Sequence, residues 1–230
     1  MSKIIIAIDG PAGSGKSTIA KMVAERLNYT YLDTGAMYRA ITYLALQKGI
    51  VDNEKAVNEL VEGLDVTLNF EDGLTHVFAD DIELTEHIRT PEVNSKVSEI
   101  AAMPLVRKEL VRMQQSMGKV GNVVAEGRDI TTVVFPDADV KIYLDATADV
   151  RAERRYKEYL EKGVTVSLEE VKENIKKRDR IDSGREASPL RIAENAIEVD
   201  TSNLTVDEEF EILVENIKKK INFNYSKSVK

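Results

Sequence analysis

The chain has 230 residues, of which 43% are hydrophobic and 31% charged, enough apolar material to bury the core of one domain with insertions. Its net charge of −8 argues against a nucleic-acid partner, and the absence of cysteine excludes disulfides and thiolate metal sites. Since no apolar run is long enough for a signal peptide or for the roughly 20 residues of a membrane span, we expect a cytoplasmic protein without a membrane partner, and we further expect a monomer.

Short apolar runs without alternation recur along the chain and predict strands that are buried on both faces. They cover residues 3–8, 29–32, 122–125, 140–144 and 197–199. Segments with helical spacing separate them; in Lys16–Leu27, for example, Ile19, Ala20 and Val23 fall on one face. This alternation predicts an α/β fold in which helices cover both faces of a parallel sheet.

Two segments depart from the alternation. Residues 65–84 have the pattern of a β-hairpin and are followed by a helical stretch at 91–101, so we interpret 65–101 as an insertion between parallel strands. Residues 151–182 are polar and mostly helical, with a break near Gly163 and a capping box of Ser167 with Glu170. The same capping pattern, Thr205 with Glu208, precedes the last helix.

A phosphate-binding motif follows the first predicted strand. Glycines in such a motif let backbone N–H groups surround one anion, and the helix that follows adds its positive dipole end. Its lysine contacts the β- and γ-phosphates of a triphosphate such as ATP, and its hydroxyl residue binds Mg²⁺. The sequence matches G-x-x-x-x-G-K-[ST] at Gly10, Pro11, Ala12, Gly13, Ser14, Gly15, Lys16 and Ser17, with Thr18 continuing into the helix.

The motif alone does not separate a kinase from a GTPase or a motor protein. The chain has no N-K-x-D sequence for reading guanine, it is shorter than most motors, and no apolar strand ends in a clear Asp-Glu pair. A small P-loop kinase is therefore the favoured class.

The second ligand of such a kinase should lie at the carboxyl ends of the parallel strands. Polar clusters follow three predicted strands, at residues 33–39, 126–129 and 200–202. The first two contain Arg39 and Arg128, and guanidinium groups bind phosphate bidentately. Seven of the 13 arginines fall between Arg151 and Arg191, although salt-bridged helix faces would also explain many of these. The pattern predicts a small anion as the second ligand.

Four stretches resemble bacterial cytidylate kinases, which belong to the nucleoside monophosphate kinases. They are residues 8–17 around the motif, 32–39 (LDTGAMYR), 126–136 (EGRDITTVVFP) and 178–185 (RDRIDSGR). The resemblance covers nearly the whole chain and implies a P-loop NTPase-type sheet, a small α+β monophosphate-binding insertion at 65–101, and a helical lid with its following helix at 151–183. The core of this single kinase domain would comprise residues 1–64, 102–150 and 184–230.

The resemblance also implies an activity, transfer of the γ-phosphoryl group of ATP to CMP or dCMP with Mg²⁺ bound at Ser17. No general base is needed, because the acceptor phosphate is already an anion. The implied roles are the acceptor phosphate for Thr34, Arg39, Arg128 and Arg185; the ribose for Asp182 with Arg178 nearby; the base for Ser98, Arg107 and Asp129; and stabilisation of the transferring group for Lys16, Arg128, Arg185 and the lid arginines Arg154 and Arg155, between which the sequence does not choose.

Asp129 has a chemical reason to select cytosine. A carboxylate accepts a hydrogen bond from the N4 amino group of cytosine but repels the O4 atom of uracil. Asp129 could instead form a salt bridge with its neighbour Arg128. The alternatives to a CMP kinase are a UMP kinase, a nucleoside or shikimate-type kinase in which Asp33 would act as base toward a hydroxyl, and a nucleotide-binding sensor without turnover.

Overall fold

The computed structural model describes residues 3–228, with side chains for residues 3–221. The elements in chain order are β1 (Ile5–Asp9), α1 (Lys16–Leu27), β2 (Thr30–Asp33), α2 (Thr34–Gln47), α3 (Glu54–Glu62), β3 (Val66–Glu71), β4 (Leu74–Ala79), β5 (Ile82–Glu83), α4 (Pro91–Ala102), α5 (Pro104–Gly118), β6 (Val123–Gly127), a π-helical segment (Ile130–Val134), β7 (Val140–Asp145), α6 (Ala148–Glu161), α7 (Leu168–Gly184), β8 (Ile197–Asp200) and α8 (Val206–Ser228). Within residues 3–228, no helix combines the length and the apolar character of a membrane span.

A five-stranded parallel sheet forms the centre of the molecule, in the order β2-β6-β1-β7-β8. In register, Asp9 at the end of β1 lies opposite Gly127 of β6, and Asp33 at the end of β2 lies opposite Glu126. The carboxyl ends of three neighbouring strands therefore bring these acidic residues to one edge of the sheet, beside the loop that follows β1. This edge, next to the central strand, is where open α/β sheets bind their ligands.

The strands are buried on both faces, as their continuous apolar character predicts. Ile6 and Ile8 of β1 pack on one face with α1 and with Leu213 of α8, whereas Ala7 packs on the other face with Ile130 of the π-helical segment. The α/β fold class is confirmed, and each of the five strands lies within two residues of its predicted bounds.

The insertion folds around a second, antiparallel sheet in the order β3-β4-β5. The predicted hairpin is confirmed, whereas β5 and the helix α3 are additional to the predicted elements. Val66 and Val77 of the hairpin share a buried cluster with Val57 of α3 and Leu110 of α5. This shared cluster anchors the hairpin to the rest of the molecule.

The helices α6 and α7 form a hairpin with a small apolar cluster of its own, which includes the buried Val171 and Ile175. The chain turns at Gly163, and α7 begins after Ser167. The Ser167 hydroxyl accepts from the Glu170 N–H at 3.2 Å, and Glu170 Oε2 accepts from the Ser167 N–H at 2.8 Å. The predicted break and capping box are confirmed, and the same hydrogen bonds precede α8, as predicted.

Asp9 fixes the segment that follows β6. Its buried carboxylate accepts from the backbone N–H groups of Ile130 (2.9 Å) and Thr131 (2.8 Å) and from the Thr131 hydroxyl (2.6 Å). Burial raises the pKa of Asp9 to about 6, although these three bonds favour the charged form. Because Arg128 and Asp129 immediately precede this segment, Asp9 determines where they lie relative to the loop that begins at the next residue.

We expect Asp9→Ala to lower the free energy of unfolding by about 2 kcal/mol or more, because two buried backbone N–H groups lose their acceptor. Urea unfolding measures the change. The matched control is Asp137→Ala, an exposed carboxylate beyond the same segment, for which we expect a change within about 0.5 kcal/mol. Equal midpoints for Asp9→Ala and the wild type would contradict the structural role of Asp9.

Candidate active site

A cavity with a volume of about 530 Å³ lies at the carboxyl edge of the parallel sheet. Its walls come from the loop after β1, the start of α2, the insertion helix α4, the segment after β6, the α6–α7 hairpin and the start of α8. The predicted site residues that line it are Ala12, Gly13, Gly15, Lys16, Ser17, Thr18, Thr34, Arg39, Ser98, Arg107, Arg128, Asp129, Arg154, Arg155, Arg178, Asp182 and Arg185.

The other three predicted residues, Gly10, Pro11 and Ser14, support the loop from behind this lining. A Cβ atom at Gly10 would lie 2.0 Å from the backbone oxygen of Leu144, so a larger residue would displace the loop. Gly15 has a φ of 92° and caps α1 without a side-chain hydrogen bond to the first helical N–H groups. These donors and the helix dipole are therefore available to an anion in the loop.

Lys16 reaches back across the loop. Its Nζ atom donates to the Pro11 carbonyl oxygen at 2.6 Å and to the Ser14 hydroxyl at 3.3 Å. Burial, and after it the positive charge of Arg128, lower the pKa of Lys16 to about 7. An anion bound in the loop would raise this pKa again, since a nearby opposite charge favours the ammonium form.

Ser17 contacts an acidic residue that the sequence analysis did not assign to the site. The Ser17 hydroxyl donates to Glu126 Oε1 at 2.6 Å, and the Tyr31 hydroxyl donates to the same atom at 3.3 Å. Glu126 is buried at the end of β6 and also lines the cavity. An acidic residue directly after a buried strand was the signal that could have identified it.

Arginine side chains crowd one part of the cavity, which we call the acceptor side because of the ligand proposed for it below. Burial and then Arg89 lower the pKa of Arg39 to about 10, and burial and then Arg128 lower the pKa of Arg178 to about 9. Within the described residues, Arg178 Nε and Arg185 Nη2 are buried without a hydrogen-bond partner. Crowded cations with unused donors define an anion site. The lining arginines are Arg39, Arg89, Arg107, Arg128, Arg154, Arg155, Arg178 and Arg185.

Two ion pairs organise these arginines. Arg128 Nε donates to Asp182 Oδ2 at 2.9 Å, and Arg89 Nη2 donates to Asp33 Oδ2 at 2.6 Å. Burial favours the neutral form of both carboxyl groups, but the neighbouring guanidinium charges outweigh it and lower the pKa of Asp33 and of Asp182. Arg89 is a further site residue that the sequence analysis missed, and no local signal distinguishes it, because only the folded insertion brings it to the cavity.

The structure separates Arg154 from Arg155. Arg154 donates to the hydroxyl of Thr201 at 3.0 Å and to its carbonyl oxygen at 2.6 Å, which ties it to the loop before α8. The charge of Arg155, in contrast, contributes to the lowered pKa of both Arg39 and Arg178. Arg155 Nη1 donates to Glu158 Oε2 at 2.7 Å on its own helix, and its side chain lines the same cavity as Arg39 and Arg178.

Asp129 pairs with Arg107 and not with its neighbour Arg128. Arg107 Nη2 donates to Asp129 Oδ2, and Arg107 Nη1 donates to the Ala101 carbonyl oxygen at 3.1 Å. Arg107, Asp129 and Ser98 are all buried and line the same cavity. A carboxylate held in this way keeps one fixed orientation, which a group that reads a base requires.

One cavity therefore combines a triphosphate cradle with an arginine-lined anion site. This arrangement brings two anionic ligands together and defines a P-loop kinase, whose chemistry rests on positioning and charge stabilisation.

Comparisons with known proteins identify the kind of P-loop kinase. The family model described as cytidylate kinase matches residues 6–219. The cytidylate kinase of Streptococcus thermophilus is 50% identical over 223 residues, which cover 95% of this chain and 98% of that protein. The cytidylate kinase of Bacillus cereus is 48% identical over 207 residues, which cover 90% and 92%. The chain belongs to the cytidylate kinase family.

A solved structure supports the fold alone. An uncharacterized protein from Eubacterium ventriosum superposes with a TM-score of 0.50 at 15% identity, over 95% of this chain and 99% of that one.

We expect the binding of a nucleoside triphosphate at pH 8 to take up about one proton, because Lys16 is mostly neutral there when unbound and becomes an ammonium beside the phosphates. The uptake falls toward zero as the pH drops below the Lys16 pKa of about 7. Calorimetry in two buffers of different ionisation enthalpy measures it. Lys16→Arg, which stays charged at pH 8, is the control and should show no uptake; uptake in that variant equal to the wild type would assign the proton elsewhere.

Proposed function

We propose that this enzyme transfers the γ-phosphoryl group of ATP to CMP or dCMP and forms ADP with CDP or dCDP. The observation that carries the proposal is the cavity itself, in which the phosphate loop faces an arginine cluster next to the buried Arg107–Asp129 pair. Membership of the cytidylate kinase family supports the same reaction.

The acceptor phosphate would bind among Arg39, Arg128 and Arg185. Arg39 Nε is also within 3.4 Å of the Asn94 Oδ1 atom, which orients it from the insertion. Arg128 is held by Asp182, and a guanidinium with five N–H donors can serve this carboxylate and a phosphate together. We assign Asp182, with Arg178 beside it, to the ribose hydroxyls, because a carboxylate of lowered pKa remains an acceptor at neutral pH.

The acceptor base would lie against Asp129, with Arg107 and Ser98 on the same wall. The Asp129 carboxylate would accept a hydrogen bond from the N4 amino group of cytosine, and its pairing with Arg107 keeps it oriented for that contact. Uracil would place its O4 atom against the carboxylate and leave a buried polar group unpaired, which a substrate site rejects strongly.

Asp33 argues against a hydroxyl acceptor of the shikimate or nucleoside type. Its Oδ1 atom accepts from the Ala36 N–H at 3.0 Å as the cap of α2, and its Oδ2 atom is bound by Arg89. Both oxygens are occupied and its pKa is lowered, so Asp33 is a poor base for a hydroxyl. A phosphate acceptor needs no base, because its oxygen is already an anion at neutral pH.

The residues around Ser17 fit a magnesium ion. The Ser17 hydroxyl and the Glu126 carboxylate lie 2.6 Å apart, and Mg²⁺ is commonly held by one or two such oxygen ligands together with substrate phosphates. Within residues 3–228, no group of three or more His, Cys, Asp or Glu side chains could hold a metal unaided, which agrees with a site that the nucleotide completes. When bound, the ion would neutralise charge on the β- and γ-phosphates.

In this reaction the protein would act by positioning its two substrates and by stabilising the charge of the transferring group. Backbone N–H groups of the loop and Lys16 would hold the donor phosphates, and Arg128, Arg185 and Arg155 would stabilise the charge on the transferring group. Arg154 would reinforce the loop before α8 on the donor side.

The proposed reaction also assigns a role to two segments of the chain. We propose that residues 65–101 receive the monophosphate and that residues 151–183 close over the phosphates and exclude water. The separate apolar cluster of α6 and α7 would let this hairpin move as a unit.

Steady-state assays test the function and its base specificity together. We expect wild-type kcat/KM to be highest for CMP and dCMP among CMP, dCMP, UMP, AMP and shikimate. In Asp129→Ala, which removes the N4 acceptor, the CMP-to-UMP ratio of kcat/KM should fall about tenfold or more. Asp129→Asn, which can donate from its amide, should raise the activity with UMP. An unchanged ratio in both variants would remove Asp129 from base recognition, and no CDP formation by the wild type would refute the proposed function.

The arginine clamp is tested separately. Arg39→Ala and Arg128→Ala should each lower kcat/KM for CMP about tenfold or more while changing the KM for ATP little, because each loses charged hydrogen bonds of about 1.5–3 kcal/mol to the acceptor phosphate. Arg112→Ala, at an exposed arginine of α5, is the control and should keep wild-type kinetics. If Arg39→Ala and Arg128→Ala matched that control, the acceptor phosphate would have to bind elsewhere.

A further inference from the structure

Glu209 is a buried carboxylate that the proposed reaction does not use. It lies in the first turns of α8 and is only 2% exposed. Its Oε2 and Oε1 atoms lie 3.2 and 3.3 Å from the position that a Cβ on Gly15 would occupy. Among the described residues its Oε1 atom has no hydrogen-bond partner, yet the side chain lines the cavity.

Burying a carboxylate with an unpaired oxygen costs free energy of folding, so the position of Glu209 calls for an explanation. Burial raises the pKa of Glu209 to about 7, and the charges of Arg154 and Lys16 only partly oppose this. The capping of α8 does not require it, because Thr205 bonds with Glu208 instead. Glu209 therefore brings a desolvated carboxylate to the cavity wall, and no described residue donates a hydrogen bond to its Oε1 atom.

The position of Glu209 identifies the ligand that could satisfy it. In the proposed reaction the donor phosphates would lie in the loop around Lys16, and the acceptor would lie among the arginines near β2 and β6. The nucleoside of the donor is left with the remaining part of the cavity, on the α8 side. That part is lined by Thr18, Arg154, Leu204, Thr205, Val206 and Glu209. The apolar side chains of Leu204 and Val206 suit a flat base, and the buried carboxylate of Glu209 suits an amino group on it.

We propose that Glu209 is the specificity-determining residue for the donor base and accepts a hydrogen bond from the 6-amino group of adenine. The inference rests on the proposed function, since it assumes that a nucleoside triphosphate occupies the loop. Guanine carries an oxygen at the same ring position, so its lone pairs would face those of the carboxylate. A buried acceptor left unpaired in this way rejects the wrong base.

The test compares three donors that share the ribose and the triphosphate: ATP, GTP and purine riboside triphosphate, which lacks the 6-amino group. CMP is the acceptor throughout. We expect the wild type to favour ATP over both other donors by about tenfold or more in kcat/KM. Glu209→Val should bring the ratio of ATP to purine riboside triphosphate close to one, with the KM for CMP unchanged, whereas Glu209→Gln, which keeps an acceptor oxygen, should retain most of the preference.

Glu211→Gln, at an exposed carboxylate on the same helix, is the matched control and should keep the wild-type ratios. Calorimetric affinities for the same donors without CMP give a readout that does not depend on turnover. Equal weakening of all three donors in Glu209→Val would indicate a structural or ribose contact and overturn the inference, as would a wild type that uses GTP or purine riboside triphosphate as well as ATP. In each of these cases CDP formation from ATP by the wild type would leave the proposed function standing.

Discussion

The three hydrogen bonds of Asp9 are the constraint on which the site depends. Asp9 ends β1 and directly precedes the phosphate loop, while its carboxylate holds the backbone of Ile130 and Thr131 in the segment after the neighbouring strand β6. Arg128 and Asp129, which we assign to the acceptor site, lie two residues and one residue before that anchor. Asp9 therefore fixes the phosphate loop relative to the wall that we assign to the acceptor. Phosphoryl transfer needs this, since its rate falls steeply with small errors in the alignment of the two ligands.

The charges of the site explain why its acceptor side uses arginine. Burial and neighbouring cations lower the pKa of Arg178 to about 9 and that of Arg39 to about 10, and both side chains remain charged at neutral pH. Comparable burial lowers the pKa of Lys16 to about 7, so without a ligand half of these side chains are uncharged at neutral pH. A cluster of lysines in place of these arginines would largely neutralise itself, whereas guanidinium groups keep their charge and their paired N–H donors. Lys16, in contrast, lies in the phosphate loop, where a bound triphosphate would restore its proton.

Sequence reasoning succeeded where the relevant interactions are local. The buried strands, the phosphate loop and the two capping boxes depend on short-range patterns, and their predictions are confirmed. The π-helical segment could not be predicted, because it depends on the carboxylate of Asp9, more than a hundred residues away. The partners of Ser17 and Asp33 also escaped the analysis, since Glu126 and Arg89 reach them only through strand order and the folding of the insertion. The ion pair of Asp129 is a further example. Asp129 pairs with Arg107, which is distant in the sequence, and not with the adjacent Arg128, so its partner depends on the folded structure.

The Arg89–Asp33 and Arg128–Asp182 ion pairs connect the insertion and α7 to the central sheet, and all three contribute to the proposed acceptor site. Arg89 belongs to the insertion and binds Asp33 of the central sheet, whereas Asp182 belongs to α7 and binds Arg128 beside that sheet. A phosphate placed among Arg39, Arg128 and Arg185 adds negative charge between these pairs, and it offsets the mutual repulsion of guanidinium groups that come from different segments. The acceptor would thus stabilise the same arrangement of insertion, sheet and α6–α7 hairpin that phosphoryl transfer to it requires. A neutral acceptor would leave that repulsion uncompensated, so the charge distribution of the folded chain favours a phosphate acceptor independently of any single contact.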